Sequence, residues 1–530
     1  MKSIMKKILC TALSLLFLIG IAACTPDSQG TNDDKPAANN DKTNDQQNSS
    51  AARTDLNFGL TGDPQSMDPS KTTDQMSKAI WYQMYDTCII RDNEGNHYPG
   101  LAESWNISED GKTITLNVRK GVKFHDGTEL TAEDIAFSLG LLCDSPQTTS
   151  KMVSMSSDRI TADDEYTVRI ELEAPFGAIL DVLSCDTRII SKNAYESLGA
   201  EEYNKHPVGT GPYKFVERKT GEKIVLEANE DYWRGAPAIK TITFKIMTDS
   251  NTAVLALEKG ELDFLSHAPL TSRQSLMDTA GISWYETDLA GNVYIVFNQD
   301  SEIFSNPLVR KAIAYAVDKN EMVLGAVEGN GTPQSTMVPP SDAGYVEGFE
   351  DIPYDPETAK DLLAEAGYPN GFAFKTITQE NATYRKPAEV LQGQLRKIGI
   401  EMEIEVLERG TFNDQMHASN FDMLVGHWTT PIPDGYFIMY TLMHSSNIGN
   451  QNFSRINNPE LDAQLDIIKS STDSTERLEA FRRADEIIQE QTLFVPLYTF
   501  KAACAANEKL QGVAPDPVYK FQVYDYSWAN

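Results

Sequence analysis

Two extended, mostly apolar runs enclose much of the second half of the chain and constrain its fold more than any other feature. The first run is NVYIVFNQ at 292–299, and the second is LFVPLYTFKAACAA at 493–506. About two hundred residues, rich in helix-like segments, lie between them. Two strands that lead into and out of such a segment are typical of a hinge between two lobes that close around a ligand. The pattern therefore predicts a two-lobed protein hinged by two crossing strands.

Strands and helices alternate along the rest of the chain. Alternation of apolar and polar residues with a period of two predicts strands at 55–60, 112–120, 166–173, 223–228, 241–247, 292–298 and 400–408. Capping residues mark the helix starts, and they are the box TAED at 131–134, Asn306 before Pro307, and Asp355 before Pro356. Helices between strands over this length predict an α/β fold class.

The N-terminus has the pattern of a secretory signal. Three lysines precede the apolar run ILCTALSLLFLIGI at 8–21, which ends in IAAC at Cys24. IAAC resembles a bacterial lipobox, which implies removal of residues 1–23 and lipidation of Cys24; an ordinary signal peptide with a chance cysteine is the alternative. Several acyl chains together anchor a protein stably to a bilayer. We therefore expect a lipid-anchored protein on the extracytoplasmic face of the cell membrane.

The segment after the lipobox predicts a tether. Residues 25–53 contain no aromatic residue and no Leu, Ile, Val or Met, so they cannot offset the entropy cost of ordering. We assign 24–53 to the lipidated cysteine and a disordered tether, which as a random coil reaches about 30 Å.

Charge and motifs exclude several function classes. The chain has 46 Lys and Arg against 77 Asp and Glu, a net charge of −31, which disfavours a nucleic-acid partner. GKT at 111–113 resembles the end of a phosphate-binding loop, but Asn106 stands where that loop needs glycine. HExxH, GxSxG, EF-hand and dinucleotide-binding motifs do not occur. We expect no enzyme and no cofactor, and an extracellular hydrolase remains an unsupported alternative.

Cysteines and histidines indicate no metal site. The cysteines beyond the lipobox form no CxxC pair, and they are Cys88, Cys143, Cys185 and Cys504. The sequence leaves open whether one or two disulfides form among these four cysteines. His417, His427 and His444 share one region, but their spacing matches no local pair of metal ligands. A metal site assembled across the fold also stays open.

The run LAESWNISEDGKTITLNVRKGVKFHDGTELTAEDIAFSL at 101–139 resembles the signature block of the family 5 solute-binding proteins. These are extracytoplasmic receptors of ABC importers for peptides, glutathione, nickel complexes and some oligosaccharides. Other family-like segments follow in order, at 206–217, 231–246, 253–264, 293–298, 309–319, 359–372 and 389–405. The resemblance covers nearly all of the chain from residue 55 onward.

This resemblance implies a fold and a role. It implies an α/β clamshell, like a periplasmic binding protein, with lobe I formed by 54–85, 207–292 and 500–530, an inserted domain at 86–206 and lobe II at 293–499. Such a receptor is a monomer that captures peptides or peptide-like solutes and delivers them to the permease subunits of an ABC transporter. A receptor that feeds a sensor rather than bulk uptake is an alternative.

The resemblance also indicates where ligand meets protein, in HWTTPIPDGYF at 427–437. In peptide-binding members a tryptophan like Trp428 lies on a strand of the cleft, where a flat aromatic ring can cover the ligand. Thr429 and Thr430 could offer hydrogen bonds to a peptide main chain. Packing at the lobe edge is the alternative role for Trp428.

One position departs from the peptide-binding pattern. Three residues after the tryptophan such members carry an Asp that holds the ligand's α-ammonium group, and here that position is Pro431. Asp434 lies in the same turn and could replace that Asp if the backbone path differs. Nickel-complex binders of the family resemble this chain in having proline there, so a nickel or metallophore complex is the alternative ligand.

Weaker candidates complete the predicted substrate site. Arg385 falls near the place where dipeptide-binding members hold the ligand carboxylate, although a solvated arginine at a helix start is the alternative. Met67 and Tyr82 lie in the first cleft-facing segments, and Tyr498 lies in the returning strand. His427 we expect to be only a neighbour of the cleft.

Overall fold

The computed structural model describes residues 53–93, 95–430 and 432–529. The predicted signal peptide at 1–23, the predicted lipidation site at Cys24 and nearly all of the predicted tether lie outside the described residues, as does Pro431. Within the described ranges, no helix combines the length and the apolar character needed to cross a membrane.

Twenty strands form the described sheets. They are β1 (Asp55–Leu60), β2 (Ile89–Arg91), β3 (His97–Pro99), β4 (Ala102–Ile107), β5 (Thr113–Val118), β6 (Ile160–Asp164), β7 (Thr167–Glu171), β8 (Tyr213–Lys219), β9 (Lys223–Ala228), β10 (Thr241–Ile246), β11 (Phe264–Leu265), β12 (Ile282–Asp288), β13 (Gly291–Phe297), β14 (Gly331–Pro333), β15 (Ala373–Gln379), β16 (Glu401–Leu407), β17 (Met423–Thr429), β18 (Phe494–Asn507), β19 (Leu510–Gln511) and β20 (Ser527–Trp528).

Fifteen α-helices are described between or beside these strands. They are α1 (Gln75–Met84), α2 (Ala132–Asp144), α3 (Ile179–Ser184), α4 (Lys192–Leu198), α5 (Ala200–Tyr203), α6 (Ser250–Glu258), α7 (Arg273–Asp278), α8 (Pro307–Ala316), α9 (Lys319–Val327), α10 (Pro356–Glu365), α11 (Ala382–Arg396), α12 (Arg409–His417), α13 (Tyr436–Met443), α14 (Pro459–Ser470) and α15 (Ser474–Gln491).

Local sequence signals account for several of these bounds. The Thr131 N–H donates to the Asp134 carboxylate at 3.0 Å, which closes the predicted capping box at the start of α2. The Asn306 side chain accepts from Leu308 N at 3.0 Å, so α8 begins where the Asn-Pro pair predicts it. The mixture of helices with parallel and antiparallel strand pairs confirms the predicted α/β class.

One long strand runs through the central sheet. This ten-stranded sheet has the order β17-β13-β18-β11-β1-β10-β9-β8, and β12 and β14 also pair with β18. The first half of β18 lies antiparallel to β13, and its second half lies antiparallel to β12. The two runs predicted to cross between lobes are therefore neighbouring strands, and β18 passes without a break from one half of the sheet to the other. A single strand shared by both halves is well placed to act as a hinge.

A smaller antiparallel sheet lies in the predicted inserted domain. Its order is β4-β5-β7-β6, and α2 covers it. The loop after β7 contacts the predicted lobe II, because the buried Phe176 ring lies edge-on to Tyr436, with ring centroids 4.9 Å apart. Beside it, Gly177 N donates to the Lys469 carbonyl at 2.7 Å. The inserted region thus touches lobe II directly, while the domain boundaries stay a prediction.

The four cysteines of the described chain are buried free thiols, so none of the disulfides left open by the sequence forms among these residues. Burial raises the pKa of the Cys88, Cys143 and Cys504 thiols to about 12. Raised thiol pKa values disfavour the reactive thiolate form.

Candidate functional site

A cavity of about 410 Å³ is lined by several segments that lie far apart in the chain. The end of α1 and the strand β2 contribute one wall, residues 185–188 and the C-terminal segment 512–526 contribute another, and Ser341 and Pro433 face them from the predicted lobe II. Small-molecule sites in proteins typically enclose about 300–1,000 Å³ and collect a few polar groups at the junction of domains. This cavity has both properties, so we take it as the candidate ligand site.

Charged groups of both signs line the cavity. Asp86 accepts hydrogen bonds from Thr210 at 2.9 Å, Tyr232 at 2.8 Å and Trp233 at 2.9 Å, so neutral donors hold its carboxylate in place. The basic residues of the lining are Arg91, Arg188, Arg234 and Lys520. The lining thus offers both acidic and basic side chains to a polar solute.

Arg91 joins two walls of the cavity. Its Nε donates to the Asp181 carboxylate at 2.9 Å, within the predicted inserted domain. Its Nη2 donates to the carbonyl of Pro433 at 3.3 Å, across the cavity in the predicted lobe II. A hydrogen bond of this kind links the two walls in the present conformation.

The predicted ligand strand is β17, and its end carries unused polar atoms. Trp428 lies opposite Asn292 of β13 and is half-buried. Among the described residues, neither Trp428 Nε1 nor Asn292 Oδ1 has a hydrogen-bond partner, although both atoms are buried. Thr429 follows at the exposed last position of the strand, opposite Gly291. Buried polar atoms without partners are rare and are candidates for ligand contacts.

Thr430 directs its side chain into its own turn. Its hydroxyl donates to the carbonyl of Ile432 and accepts from Ile432 N at 3.2 Å, and its own N–H donates to Ala290 O at 3.3 Å. Thr430 is buried, so these contacts stabilise the turn after β17. A ligand would have to compete with them for the Thr430 hydroxyl.

Asp434 is fully buried in an ion pair. Arg477 of α15 donates Nη1 and Nη2 to the two carboxylate oxygens, each at 3.0 Å, and Tyr436 N donates to Oδ1 at 2.8 Å. This is the two-pronged geometry in which an arginine recognises a carboxylate. Amine binding by Asp434 would require this ion pair to open, and the predicted role stays a prediction.

Three of the weaker candidates are buried. Met67 lies in the core beneath β1, and the Tyr82 ring lies 4.7 Å from the guanidinium carbon of Arg188. The Tyr498 hydroxyl is buried and has no hydrogen-bond partner among the described residues. Tyr82 thus does not line the cavity itself, but it contacts Arg188, which does.

Arg385 lies in α11 and His427 lies on β17, and neither lines the cavity. The Arg385 side chain is 45% exposed in the first turn of α11, and its Nε lies 3.4 Å from the Glu389 carboxylate. The His427 ring is edge-on to Tyr384 and Phe500, with centroids 5.9 Å and 5.2 Å away. Burial lowers the pKa of His427 to about 4, so the ring is neutral at pH 7.

The eight predicted substrate residues do not line the cavity, and their contacts with a ligand stay predictions. Sequence reasoning missed the residues that do line it, including Arg188, Trp233 and Lys520. No signal in the sequence indicated Arg188, because the burial of the single arginine in CDTRII depends on segments far away in the chain. In the described chain, no three His, Cys, Asp or Glu side chains gather as a metal ion would need.

Comparisons with known proteins match most of the chain. Residues 96–450 match the family described as bacterial extracellular solute-binding proteins, family 5 Middle. The chain is 30% identical to heme-binding protein A of Haemophilus influenzae over 447 residues, which are 79% of this chain and 82% of that protein. It is also 30% identical to glutathione-binding protein GsiB of Escherichia coli over 473 residues, which are 87% of this chain and 92% of that protein.

Solved structures agree with the fold. HbpA2 from Haemophilus parasuis matches with a TM-score of 0.84 and 27% identity, over 90% of this chain and 100% of that chain. The ABC transporter-associated periplasmic binding protein DppA from Helicobacter pylori, in complex with the peptide STSA, matches with a TM-score of 0.72 and 29% identity, over 90% of this chain and 99% of that chain. These likenesses confirm the predicted fold class, a binding-protein clamshell.

Proposed function

The chain belongs to family 5 of the bacterial extracellular solute-binding proteins, which deliver ligands to ABC transporters, and we propose that its ligands are peptides or peptide-like solutes. It is a binding protein and not an enzyme. Peptide or glutathione binding by relatives supports this choice of ligand class.

The observation that carries the proposal is the cavity of about 410 Å³, which is lined by both acidic and basic groups. A free peptide is a zwitterion and needs partners of both signs. Asp516 lies in the same lining as Arg188 and Lys520. Several distant segments of the chain also surround the space, so a small peptide can contact more than one of them at once.

Capture then follows from differential affinity. A ligand that touches both lobes only when they are closed shifts the equilibrium toward the closed form. The continuous strand β18, shared by both halves of the central sheet, is the element that can bend. Trp428 and Thr429, at the end of β17, are the proposed ligand contacts from lobe II.

The first test of this function is native mass spectrometry of protein purified without denaturation. We expect a bound peptide-like solute, and calorimetry with glutathione, Met-Leu and Ser-Thr-Ser-Ala then measures affinity. A metal chelate that co-purifies, with a metal-dependent rise in Tm and no peptide binding, would replace peptides with the nickel or metallophore alternative.

Lipid anchoring is a second part of the proposal. An acylated Cys24 and the predicted tether would hold the receptor near its permease at high effective concentration. Mass spectrometry of the mature N-terminal peptide should find a diacylglycerol on Cys24, and Cys24→Ala should release the protein into the soluble fraction. A Cys24→Ala protein that stays with the membrane would contradict this part alone.

A further inference from the structure

Arg188 lines the cavity and has a buried hydrogen-bonding edge that no described residue uses. The residue is only 3% exposed, and its Nη1 donates to the carbonyl of Tyr85 at 3.1 Å. Its guanidinium lies 4.7 Å from the Tyr82 ring, which fixes the plane of the group. Among the described residues, Nε and Nη2 have no hydrogen-bond partner. These two nitrogens share one edge of the guanidinium, the edge that can donate two parallel hydrogen bonds to a carboxylate.

Lys520 adds a second cation to the same lining, close enough to Arg188 for the two positive charges to repel each other. In the described part of the chain its ammonium group forms no hydrogen bond or ion pair. Burial, together with the charges of Arg188 and Arg91, lowers the pKa of Lys520. The acidic neighbour is Asp516, whose Oδ1 accepts the backbone N–H groups of Val518 at 2.8 Å and of Lys520 at 2.7 Å.

Arg91, in the same lining, differs from Arg188 because it has a charged partner inside the protein. Its Nε is paired with Asp181 at 2.9 Å, so its charge has an internal partner. Arg188 has no ion pair of this kind within the described ranges, and Lys520 has no ion-pair contact there either, although the charge of Asp516 acts on it. Buried charge without a partner is costly, and a bound anion would remove that cost.

We propose that Arg188 and Lys520 form a carboxylate-binding subsite, so that the solute carries a free carboxylate, such as a peptide C-terminus, at this end of the cavity. The proposal rests on the proposed function and gives its ligand class a required group. It moves the carboxylate contact from Arg385, which is exposed and already near Glu389, to the buried fork of Arg188. Lys520 supplies a second, unpartnered charge beside that fork.

The direct test compares Met-Leu with its C-terminal amide by calorimetry. Wild-type protein should bind the free acid at least about tenfold more tightly, since charge-assisted pairs in dry sites are strong. Arg188→Gln and Lys520→Met should each remove most of this preference. Arg385→Gln is the matched control and should keep it. Equal binding of acid and amide by wild-type protein, or an unchanged preference in Arg188→Gln, would overturn the subsite while the proposed function stands.

A second readout separates a binding role from a structural one. Ligand-free Lys520→Met should have a Tm equal to or above that of wild type, because a half-buried charge without an ion-pair contact has been removed. A lower Tm together with an unchanged acid preference would assign Lys520 to fold stability alone and overturn its part in the subsite.

A third experiment tests the subsite without a peptide. If glutathione, Met-Leu and Ser-Thr-Ser-Ala all fail to bind, the proposed peptide function fails, and succinate then tests the subsite by itself. Succinate should raise the Tm of wild-type protein more than an equal ionic strength of chloride, and Arg188→Gln should abolish the difference. No rise in wild type, or the same rise in Arg188→Gln, would overturn the subsite.

Discussion

Arg477 holds the Asp434 carboxylate with both terminal nitrogens, at 3.0 Å each, in the buried turn after β17. The turn follows the proposed ligand strand directly, so this ion pair stabilises the segment next to Trp428. The contribution of the Asp434–Arg477 ion pair to stability therefore also affects the proposed ligand strand.

We expect Asp434→Ala to lower the free energy of unfolding by about 3–5 kcal/mol, because it leaves the Arg477 guanidinium buried without its partner. Urea denaturation measures the change. The double variant Asp434→Leu with Arg477→Met should recover part of the loss, since it removes both charges. A loss below about 1 kcal/mol together with weaker peptide binding would instead assign Asp434 to the ligand.

Gly177 tests the contact between the inserted region and lobe II. A Cβ atom at this position would lie 2.2 Å from the Ser471 carbonyl, so Gly177→Ala should cost about 1–3 kcal/mol of unfolding free energy. Gly140 in α2 is the matched control, because its nearest atom to a new Cβ is 3.6 Å away. Gly140→Ala should be neutral or stabilise by up to about 1 kcal/mol, as alanine favours helices. Equal thermal stability of the two variants would contradict the close contact.

Trp428 and Trp81 should respond in opposite ways to replacement by phenylalanine. Trp428 Nε1 has no partner among the described residues, so Trp428→Phe should change stability little but weaken peptide binding, at least about tenfold if the ligand uses this N–H. Trp81 Nε1 donates to Ser66 O at 3.0 Å in the core, so Trp81→Phe should lower stability by about 1–3 kcal/mol. Calorimetry and thermal unfolding measure both effects. Unchanged affinity in Trp428→Phe would remove its N–H from the site.

Asp342 should make stability fall as pH rises. Burial raises the pKa of its carboxyl to about 8; Ser341 Oγ donates to Oδ1 at 2.8 Å, and Oδ2 has no partner in the described chain. Between about pH 4 and pH 8 the folded state thus keeps a proton that the unfolded state has lost, which favours unfolding as pH increases.

The measurement is urea unfolding of wild type and Asp342→Asn between pH 4 and pH 8. The variant should gain stability relative to wild type across this window, because amide replaces a carboxyl that the unfolded state would ionise. Asp361→Asn, on the exposed face of α10, is the matched control for the substitution itself. A constant difference between Asp342→Asn and wild type would show that Asp342 is ionised in the fold.

Much of the fold could be predicted from local patterns. The alternation in IEMEIEVLE places β16 at Glu401–Leu407, and the capping box TAED places the start of α2. The two extended runs predicted to cross are neighbours, β13 and β18. The signature block at 101–139 indicated the family to which the chain belongs. Each of these signals resides in residues close together in the chain, where period and capping chemistry determine the conformation.

The partners of the charged side chains were decided only by the tertiary structure. Asp434 meets an arginine 43 residues away, so the sequence could suggest it as a free amine anchor but could not show its ion pair. Arg188 and Lys520 lie 332 positions apart in the numbering and share one cavity lining. Burial and charge pairing depend on which distant segments pack together, and a short sequence pattern carries no such information. The sequence alone thus determined the elements, their order and the family, and packing decided which charged side chains have partners inside the protein.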